Sequence, residues 1–156
     1  MKKFELTTEF ITNMFGKKLF RIKALVEFGN VKAGELGGYV EKEENVSQDG
    51  NAWVSGDARV SGNAEVYGDA WVSGNARVSG DADYALVQGF GTEFRCTTFY
   101  RGKNKKIMVN CGCFHGDLEG FRKQVKETRN GKIAKEYLMI ADLMEYHFTS
   151  EDSSDE

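Results

Sequence analysis

Four side chains that can bind zinc lie in the second half of the chain: Cys96, Cys111, Cys113 and His115. Thiolate and imidazole are preferred ligands of Zn²⁺ in tetrahedral sites. If residues 111–115 form one strand, Cys111, Cys113 and His115 share a face but extend over about 13 Å, too far for one ion. The interpretation we adopt is therefore small buried thiols, with no metal and no cofactor. A break in the strand would reopen the metal site.

Tryptophan and arginine recur at a spacing of 18 residues, as Trp53 and Trp71 and as Arg59 and Arg77. These residue types dominate binding hot spots and stack well on nucleotide bases. We take them, together with Tyr67, as the candidate binding residues. The alternative is that the C-terminal helices cover the tryptophans, because exposed tryptophans would form an unusual apolar stripe.

The same region contains an internal repeat of six residues. Residues 54–83 read VSGDAR, VSGNAE, VYGDAW, VSGNAR and VSGDAD. Val and Ala two positions apart on a short strand point to one face, and Gly-Asp or Gly-Asn favours a turn. Three such sides close a triangular prism of 18 residues with Val and Ala inside. An α-helix is excluded, because the period is not 3.6 and Gly recurs too often.

The repeat resembles the hexapeptide-repeat family, in which an aliphatic residue is followed four positions later by a small one, as in Val54/Ala58 and Val78/Ala82. Members form left-handed parallel β-helices. The resemblance therefore implies a mainly β fold, a short left-handed parallel β-helix with an N-terminal β cap and a C-terminal ββαα unit. The tryptophan pair would lie stacked on the outside of the prism.

Many members of that family are acyltransferases, and the resemblance would imply a histidine acting as general base. This chain contains two histidines, His115 and His147, and both lie outside residues 40–84. We therefore expect no base on the prism, no catalytic residue and no enzymatic activity.

A second resemblance, to short proteins of bacteriophages and prophages, covers about two thirds of the chain. It rests on residues 20–25, 34–45, the hexads and 135–138. It implies a phage accessory protein without implying a particular activity.

The flanks suggest a division into four segments. Residues 1–39 form the N-terminal β cap, with a strand over 19–28; 40–86 form the repeat, 87–150 a C-terminal α+β unit, and 151–156 a disordered acidic tail. In the C-terminal unit we expect strands over 94–100 and 106–113, then a helix that opens near Gly116 and ends at Asn130-Gly131, and a second helix over 133–148.

Composition and charge restrict the function classes. The net charge is −3: a region of −7 over residues 35–83 lies between +4 over residues 1–34 and +4 over residues 84–150, and the tail, 151–156, adds −4. A bulk charge near zero gives no nucleic-acid signal. Two basic clusters, around Lys17–Lys23 and Arg101–Lys106, are typical of solvated strand faces and hairpin tips. The apolar runs are too short for a membrane span, and three cysteines favour a reducing cytoplasm.

These observations predict a non-enzymatic binding or inhibitor module that acts on a host factor in the host cytoplasm. The resemblance to phage proteins includes counter-defence, such as anti-CRISPR activity or sequestration of a signal. A host protein is the expected partner, with a nucleotide or nucleic acid as the alternative, and no membrane. A homo-oligomer, dimer or trimer, is expected. A structural or assembly protein of the virion and a degenerate acyltransferase without a catalytic histidine are the other classes.

Overall fold

A computed structural model of the chain describes residues 2–80, 83–92, 95–103, 105–111 and 114–148, with Arg95 described by its main chain only. In chain order the elements are β1 Phe4–Thr12, β2 Lys18–Ala24, β3 Leu36–Val40, a 3₁₀ helix Glu43–Asn45, β4 Trp53–Val54, β5 Arg59–Val60, β6 Trp71–Val72, β7 Arg77–Val78, β8 Tyr84–Phe90, β9 Arg95–Arg101, β10 Ile107–Cys111, β11 Phe114–Asp117, α1 Leu118–Thr128 and α2 Gly131–Phe148.

The strands form three sheets. A five-stranded sheet has the order β1-β2-β3-β5-β7, a four-stranded sheet has the order β11-β10-β9-β8, and β4 pairs with β6 alone. Pairing is antiparallel for β1–β2, β2–β3 and throughout the four-stranded sheet. Pairing is parallel for β3–β5, β5–β7 and β4–β6, over two residues in each case.

The predicted fold class, a short left-handed parallel β-helix with a ββαα unit, is therefore wrong. In the described part of the chain the sheets are mixed and mostly antiparallel. The physical reason is strand length. Each hexad supplies only two residues to a parallel ladder, whereas the flanking segments form strands of up to nine residues that hairpins join in antiparallel pairs.

Within the hexads, the 18-residue spacing is the register of pairing. Trp53 pairs with Trp71, and Arg59 pairs with Arg77. The hexad valines and alanines in the described part are all buried, from Val54 to Val78. The turns use glycine with positive φ, for example +63° at Gly62, a conformation that costs other residues about 1–2 kcal/mol. The core expected from the Val and Ala columns is thus present.

The buried side chain of Asn45 links the segment before the hexads to the hexad that contains Gly62 and Ala64. Its Oδ1 accepts a hydrogen bond from the Lys42 N–H at 2.8 Å. Its amide nitrogen donates to the carbonyls of Gly62 at 3.2 Å and Ala64 at 2.8 Å. Because a buried polar group is costly without partners, these bonds favour one alignment of the chain.

At the N-terminus, β1 and β2 form a hairpin, with Phe4 opposite Ala24 and Thr12 opposite Lys18. The predicted strand over 19–28 is thus shorter, and it ends at Ala24. Phe4 and Ile22 join the same core cluster as the hexad valines. The hairpin is therefore part of the main core.

In the described residues the C-terminal region has four strands instead of the two expected. Residues 84–90, which the prediction divided between the repeat (to 86) and the C-terminal unit (from 87), form β8. Within the predicted strand over 106–113, β10 covers Ile107–Cys111, and Phe114–Asp117 pairs with it as β11. The predicted helices are present as α1 and α2. Their buried faces, including Phe121 and Val125 of α1 and Ala141 and Met144 of α2, pack with Phe99 and Val109 of the sheet.

The N-terminus of α1 is capped by Asp117, whose side chain accepts a hydrogen bond from the Gly120 N–H at 2.8 Å. Neither helix in the described residues is long and apolar enough to cross a membrane. The acidic tail, 151–156, lies outside the described residues. The division into four segments stays a prediction.

Candidate functional site

Trp53 is a core residue and is not exposed at all. The rings of Phe4 and Phe28 pack edge-on against its indole, with centroids 6.2 and 5.3 Å away. Trp53 is therefore covered and not exposed. The cover comes from N-terminal residues, not from the C-terminal helices that we considered. Trp53 has no surface to offer a partner.

Trp71 is half-buried beside the four-stranded sheet. Its indole N–H donates to Ser55 Oγ at 2.9 Å. Its main-chain N–H donates to Thr98 Oγ1 at 3.1 Å, and its carbonyl accepts from Asn110 Nδ2 at 2.6 Å. Strands β9 and β10, and not the helices, therefore hold this residue.

Arg59 and Arg77 lie in one row of the five-stranded sheet, on adjacent strands. The row also contains Arg21 and Tyr39, in register. Arg21 is fully engaged: it pairs with Glu9 at 3.1 Å, donates to the Gly37 carbonyl and stacks on the Tyr39 ring at 4.4 Å. In the described part of the chain, Arg59 and Arg77 have no carboxylate within ion-pair distance.

Both arginines line a groove of about 780 Å³, which we call the arginine groove. Its floor is the β5–β7 side of the five-stranded sheet. One wall is the tip of the β1–β2 hairpin, with Asn13, Met14, Phe15 and Lys17, and the other comes from the segment between β9 and β10, with Arg101, Gly102, Lys103 and Lys105. Lys17 from the first basic cluster thus lies in the same groove as Arg101, Lys103 and Lys105 from the second. The sequence pattern alone is typical of solvated surface and does not predict this meeting.

The groove has an excess of positive charge. Six lining residues are basic and two are acidic: Lys17, Arg59, Arg77, Arg101, Lys103 and Lys105 against Glu41 and Asp83. Lys17 pairs with Glu41 at 3.3 Å, and Arg101 pairs with Asp83 at 3.0 Å. Among the described residues, no carboxylate pairs with the remaining four cations.

The two arginines affect each other's electrostatics. Adjacent strands lie about 4.8 Å apart, and like charges directly opposite each other destabilise a sheet. Burial, and then the neighbouring Arg59 charge, lower the pKa of Arg77. Arg59 Nε is buried without a hydrogen-bond partner among the described residues. An anion placed against both side chains would relieve these costs.

The hairpin wall adds apolar surface. Met14 is 88% exposed and Phe15 is 81% exposed, and both line the groove. Solvated methionine and aromatic side chains beside unpaired cations are typical of binding surfaces. The sequence does not reveal them, because an apolar pair at a hairpin tip has no periodic signal.

Tyr67 lies away from this groove. It is 53% exposed and packs edge-on against Tyr84, with ring centroids 6.3 Å apart. The structure therefore brings together Arg59 and Arg77 but separates them from Tyr67, Trp53 and Trp71.

The described members of the candidate metal set, Cys96, Cys111 and His115, do not form a three-ligand cluster. Strand β11 pairs antiparallel with β10, so His115 lies opposite Asn110. The Cys111 thiol accepts a hydrogen bond from Thr97 Oγ1 at 3.1 Å, and burial raises the pKa of Cys96. Within the described residues no group of three or more His, Cys, Asp or Glu side chains could hold a metal. Cys113 lies outside them.

His115 does reach the repeat, contrary to the expectation that no histidine does so. Its ring lies beside the turn at Gly74. Nδ1 contacts Asn110 Oδ1, and the Asn110 amide nitrogen donates to the Trp71 carbonyl and to Ser73 Oγ at 3.1 Å. The Trp71 carbonyl can only accept, so the Asn110 amide nitrogen faces it and Oδ1 faces the imidazole ring. Because Oδ1 also only accepts, His115 Nδ1 carries the proton of this hydrogen bond.

This oriented imidazole lacks a nucleophile in the described structure. Ser73 Oγ is bonded to Tyr100 OH at 3.3 Å and to Asn110, not to His115. The group therefore connects the repeat to the four-stranded sheet.

A scan against protein-family models finds no family that matches this chain, and a search of the curated proteins finds no significant relative. The arginine groove must therefore be interpreted from its own chemistry.

Proposed function

We propose that the protein is a non-enzymatic binding module that holds an acidic partner in the arginine groove. The observation that carries the proposal is the pair Arg59 and Arg77, in register on adjacent strands, inside a groove and without a carboxylate partner among the described residues. Such a pair lowers the stability of the sheet. Arg77 Nη1 donates to the main-chain carbonyls of Asn75 and Ala76, each at 3.0 Å, and of Asp57 at 3.4 Å. A bound anion adds the opposite charge that these neutral partners do not supply.

The shape of the site supports binding over catalysis. The groove is open, and its polar groups are mainly cations, which attract and orient an anion. The described lining contains no histidine and no cysteine. The two acidic residues of the lining, Glu41 and Asp83, are held in ion pairs. The carboxylates of the lining that could act in general acid–base chemistry are therefore already engaged.

The biological setting rests on the resemblance to short phage proteins. In that setting the partner is a host factor, with a host protein first and a nucleotide or nucleic acid second. Such binding inhibits a defence protein when it covers an acidic surface that the defence protein requires for its own activity. The setting is the host cytoplasm.

The test uses two labelled polyanions of matched charge, a poly-glutamate peptide and a single-stranded oligonucleotide, measured by fluorescence anisotropy. We expect at least one to bind the parent. The variant Arg59→Ala/Arg77→Ala should bind it at least tenfold more weakly, about 1.4 kcal/mol. Affinity should also fall with added salt, because the contacts are exposed charges.

The matched control is Lys23→Ala/Lys126→Ala, which removes the same charge from exposed positions outside the groove. It should change the affinity less than twofold. Equal weakening by both double variants would mean that binding follows net charge alone. An unchanged affinity in a folded arginine variant would place the site elsewhere.

Self-association stays a prediction from the sequence. On α2, Met139, Leu143 and Tyr146 are exposed and recur at helical spacing. Light scattering should give a dimer or trimer. A mass of 17.5 kDa, that of one chain, at working concentrations would contradict it.

A further inference from the structure

The last strand segments of the repeat, at Glu65, Trp71 and Arg77, differ in what bonds their outward main-chain groups. On the Trp71 side, the carbonyls of Ala70 and Val72 accept from the preceding strand at 3.1 and 2.9 Å. The N–H and C=O of Trp71 therefore point outward. Both groups are hydrogen-bonded, the N–H to Thr98 and the C=O to Asn110.

On the second side, the Glu65 carbonyl also has a side-chain partner, because it accepts a hydrogen bond from the Tyr84 hydroxyl. Two sides of the repeat thus end on side chains of β8, β9 and β10. These side chains take the place of a further strand.

On the Arg77 side, no described side chain takes the place of a further strand. The carbonyls of Ala76 and Val78 accept from Arg59 and Ser61, each at 2.9 Å, so the N–H and C=O of Arg77 point outward. No described residue supplies a partner to either group. Strand β7 is the last strand of its sheet, and residues 77–79 line the arginine groove. An unpaired donor and an unpaired acceptor thus lie beside the four uncompensated cations.

From this juxtaposition we infer that the occupant of the arginine groove is an extended acidic polypeptide segment whose main chain pairs with Arg77. This inference rests on the proposed function and names its partner class. A peptide main chain offers both an acceptor for the Arg77 N–H and a donor for its C=O. A phosphodiester offers acceptors alone. Acidic side chains of the segment meet Arg59, Arg77, Lys103 and Lys105.

The lining of the groove suits a segment with two different faces. Alternate side chains of an extended chain lie about 6.6 Å apart on one face. Carboxylates on that face meet the cations of the groove, while apolar residues on the other face meet Met14 and Phe15 of the hairpin wall. An acidic segment with interspersed apolar residues is the preferred sequence.

The experiment compares Arg77→Ala with Arg77→Pro. Both remove the guanidinium, but proline also removes the N–H, which makes no ladder bond here and is therefore dispensable to the fold at a strand edge. The probe is a ten-residue peptide of alternating Glu and Leu. We expect Arg77→Pro to bind it at least threefold more weakly than Arg77→Ala, and both more weakly than the parent.

A second probe removes the same hydrogen bonds from the other partner. The peptide with N-methylated main chain keeps its charge but loses its donors, and the parent should bind it at least fivefold more weakly than the unmethylated peptide. This measurement holds even if Arg77→Pro fails to fold, which circular dichroism would reveal.

The results separate this inference from the proposed function. If the oligonucleotide of matched charge binds as tightly as the peptide and N-methylation has no effect, the peptide inference is overturned while the anion-binding groove stands. If Arg59→Ala/Arg77→Ala leaves the affinity for both probes unchanged, the groove itself is not the site.

Discussion

Trp71 and Arg77 occupy the same position in successive hexads, yet their surroundings are opposite. Both lie on two-residue strands whose inner neighbours are 18 residues earlier. Trp71 has its main-chain groups bonded by Thr98 and Asn110. Arg77 lies in an open groove with other cations. The repeat makes equivalent sides, and the flanking segments decide which of them is buried and which is left for a partner.

The difference also explains the residue types. A side that is covered needs apolar contact, and Trp53 receives it from Phe4 and Phe28. A side that stays open must remain hydrated, and arginine does so while its stem covers the valine core. The covered side should therefore respond to mutation in stability, and the open side in binding.

The largest effect is expected from Trp53→Ala on the covered side. It removes a fully buried indole and should cost about 3–5 kcal/mol in unfolding free energy. Trp71→Ala, at a half-buried position, should cost clearly less. Chemical denaturation of both variants measures the difference. A larger loss for Trp71 would contradict the burial of the two side chains.

A smaller loss is expected from Thr98→Val, which keeps the shape and removes the hydroxyl that accepts from the Trp71 N–H. The unpaired donor should cost about 1–3 kcal/mol. Thr7→Val removes a part-buried hydroxyl that donates to the Arg21 carbonyl and is the comparison. If thermal unfolding shows a larger loss of stability for Thr7→Val than for Thr98→Val, the hydrogen bond from Thr98 to the edge of β6 does not matter for stability.

The pH dependence of stability tests the cover at its N-terminal end. The Lys3 ammonium is buried, donates to the Ala52 carbonyl at 2.8 Å and lies over the Phe28 ring. Burial lowers the pKa of Lys3 to about 8, from 10.5. Between these values the unfolded chain binds more protons than the folded one, so the stability from this group rises with pH.

The comparison is with Lys3→Met, because titration of the other groups is common to both proteins. The unfolding free energy of the parent relative to Lys3→Met should increase as pH rises from about 8 to about 10, and should be level below that range. A difference that stays constant across the range would mean that Lys3 is not desolvated.

The smallest effect on stability is expected on the open side. Arg59→Ala/Arg77→Ala should change the unfolding free energy by no more than about 1 kcal/mol, because neither side chain has an ion pair among the described residues and the Arg77 guanidinium bonds only main-chain carbonyls, those of Asp57, Asn75 and Ala76. Removal of the repulsion between them acts in the stabilising direction. A loss of several kcal/mol would show that the pair serves the fold.

The sequence predicts what is periodic. The 18-residue register and the inward Val and Ala columns follow from short-range geometry, and so do the faces of α1 and α2. The mixed sheets do not, because long-range pairing of β1, β2 and β3 depends on partners that no local pattern specifies. Strand β8 was missed because Tyr84 fits the valine column while the following residues pair with β9.

The candidate site was predicted in part. Arg59 and Arg77 were selected from their spacing and residue type, and they do share a groove. The walls came from two basic clusters far apart in the chain, which only tertiary structure joins. The cover of Trp53 by Phe4 and Phe28 could not be seen either, since those residues lie 49 and 25 positions earlier in the chain.

The bonds of Asn45 have a consequence for folding kinetics. Successive hexads are nearly identical, so a chain that slips by six residues keeps valine inside and still forms ladder bonds. Such misaligned states compete with the native one and must be undone before folding completes. Asn45 is placed once, before the hexads, and bonds the carbonyls of Gly62 and Ala64. These bonds therefore lower the energy of one register relative to the registers shifted by six residues. They fix where pairing in the repeat begins.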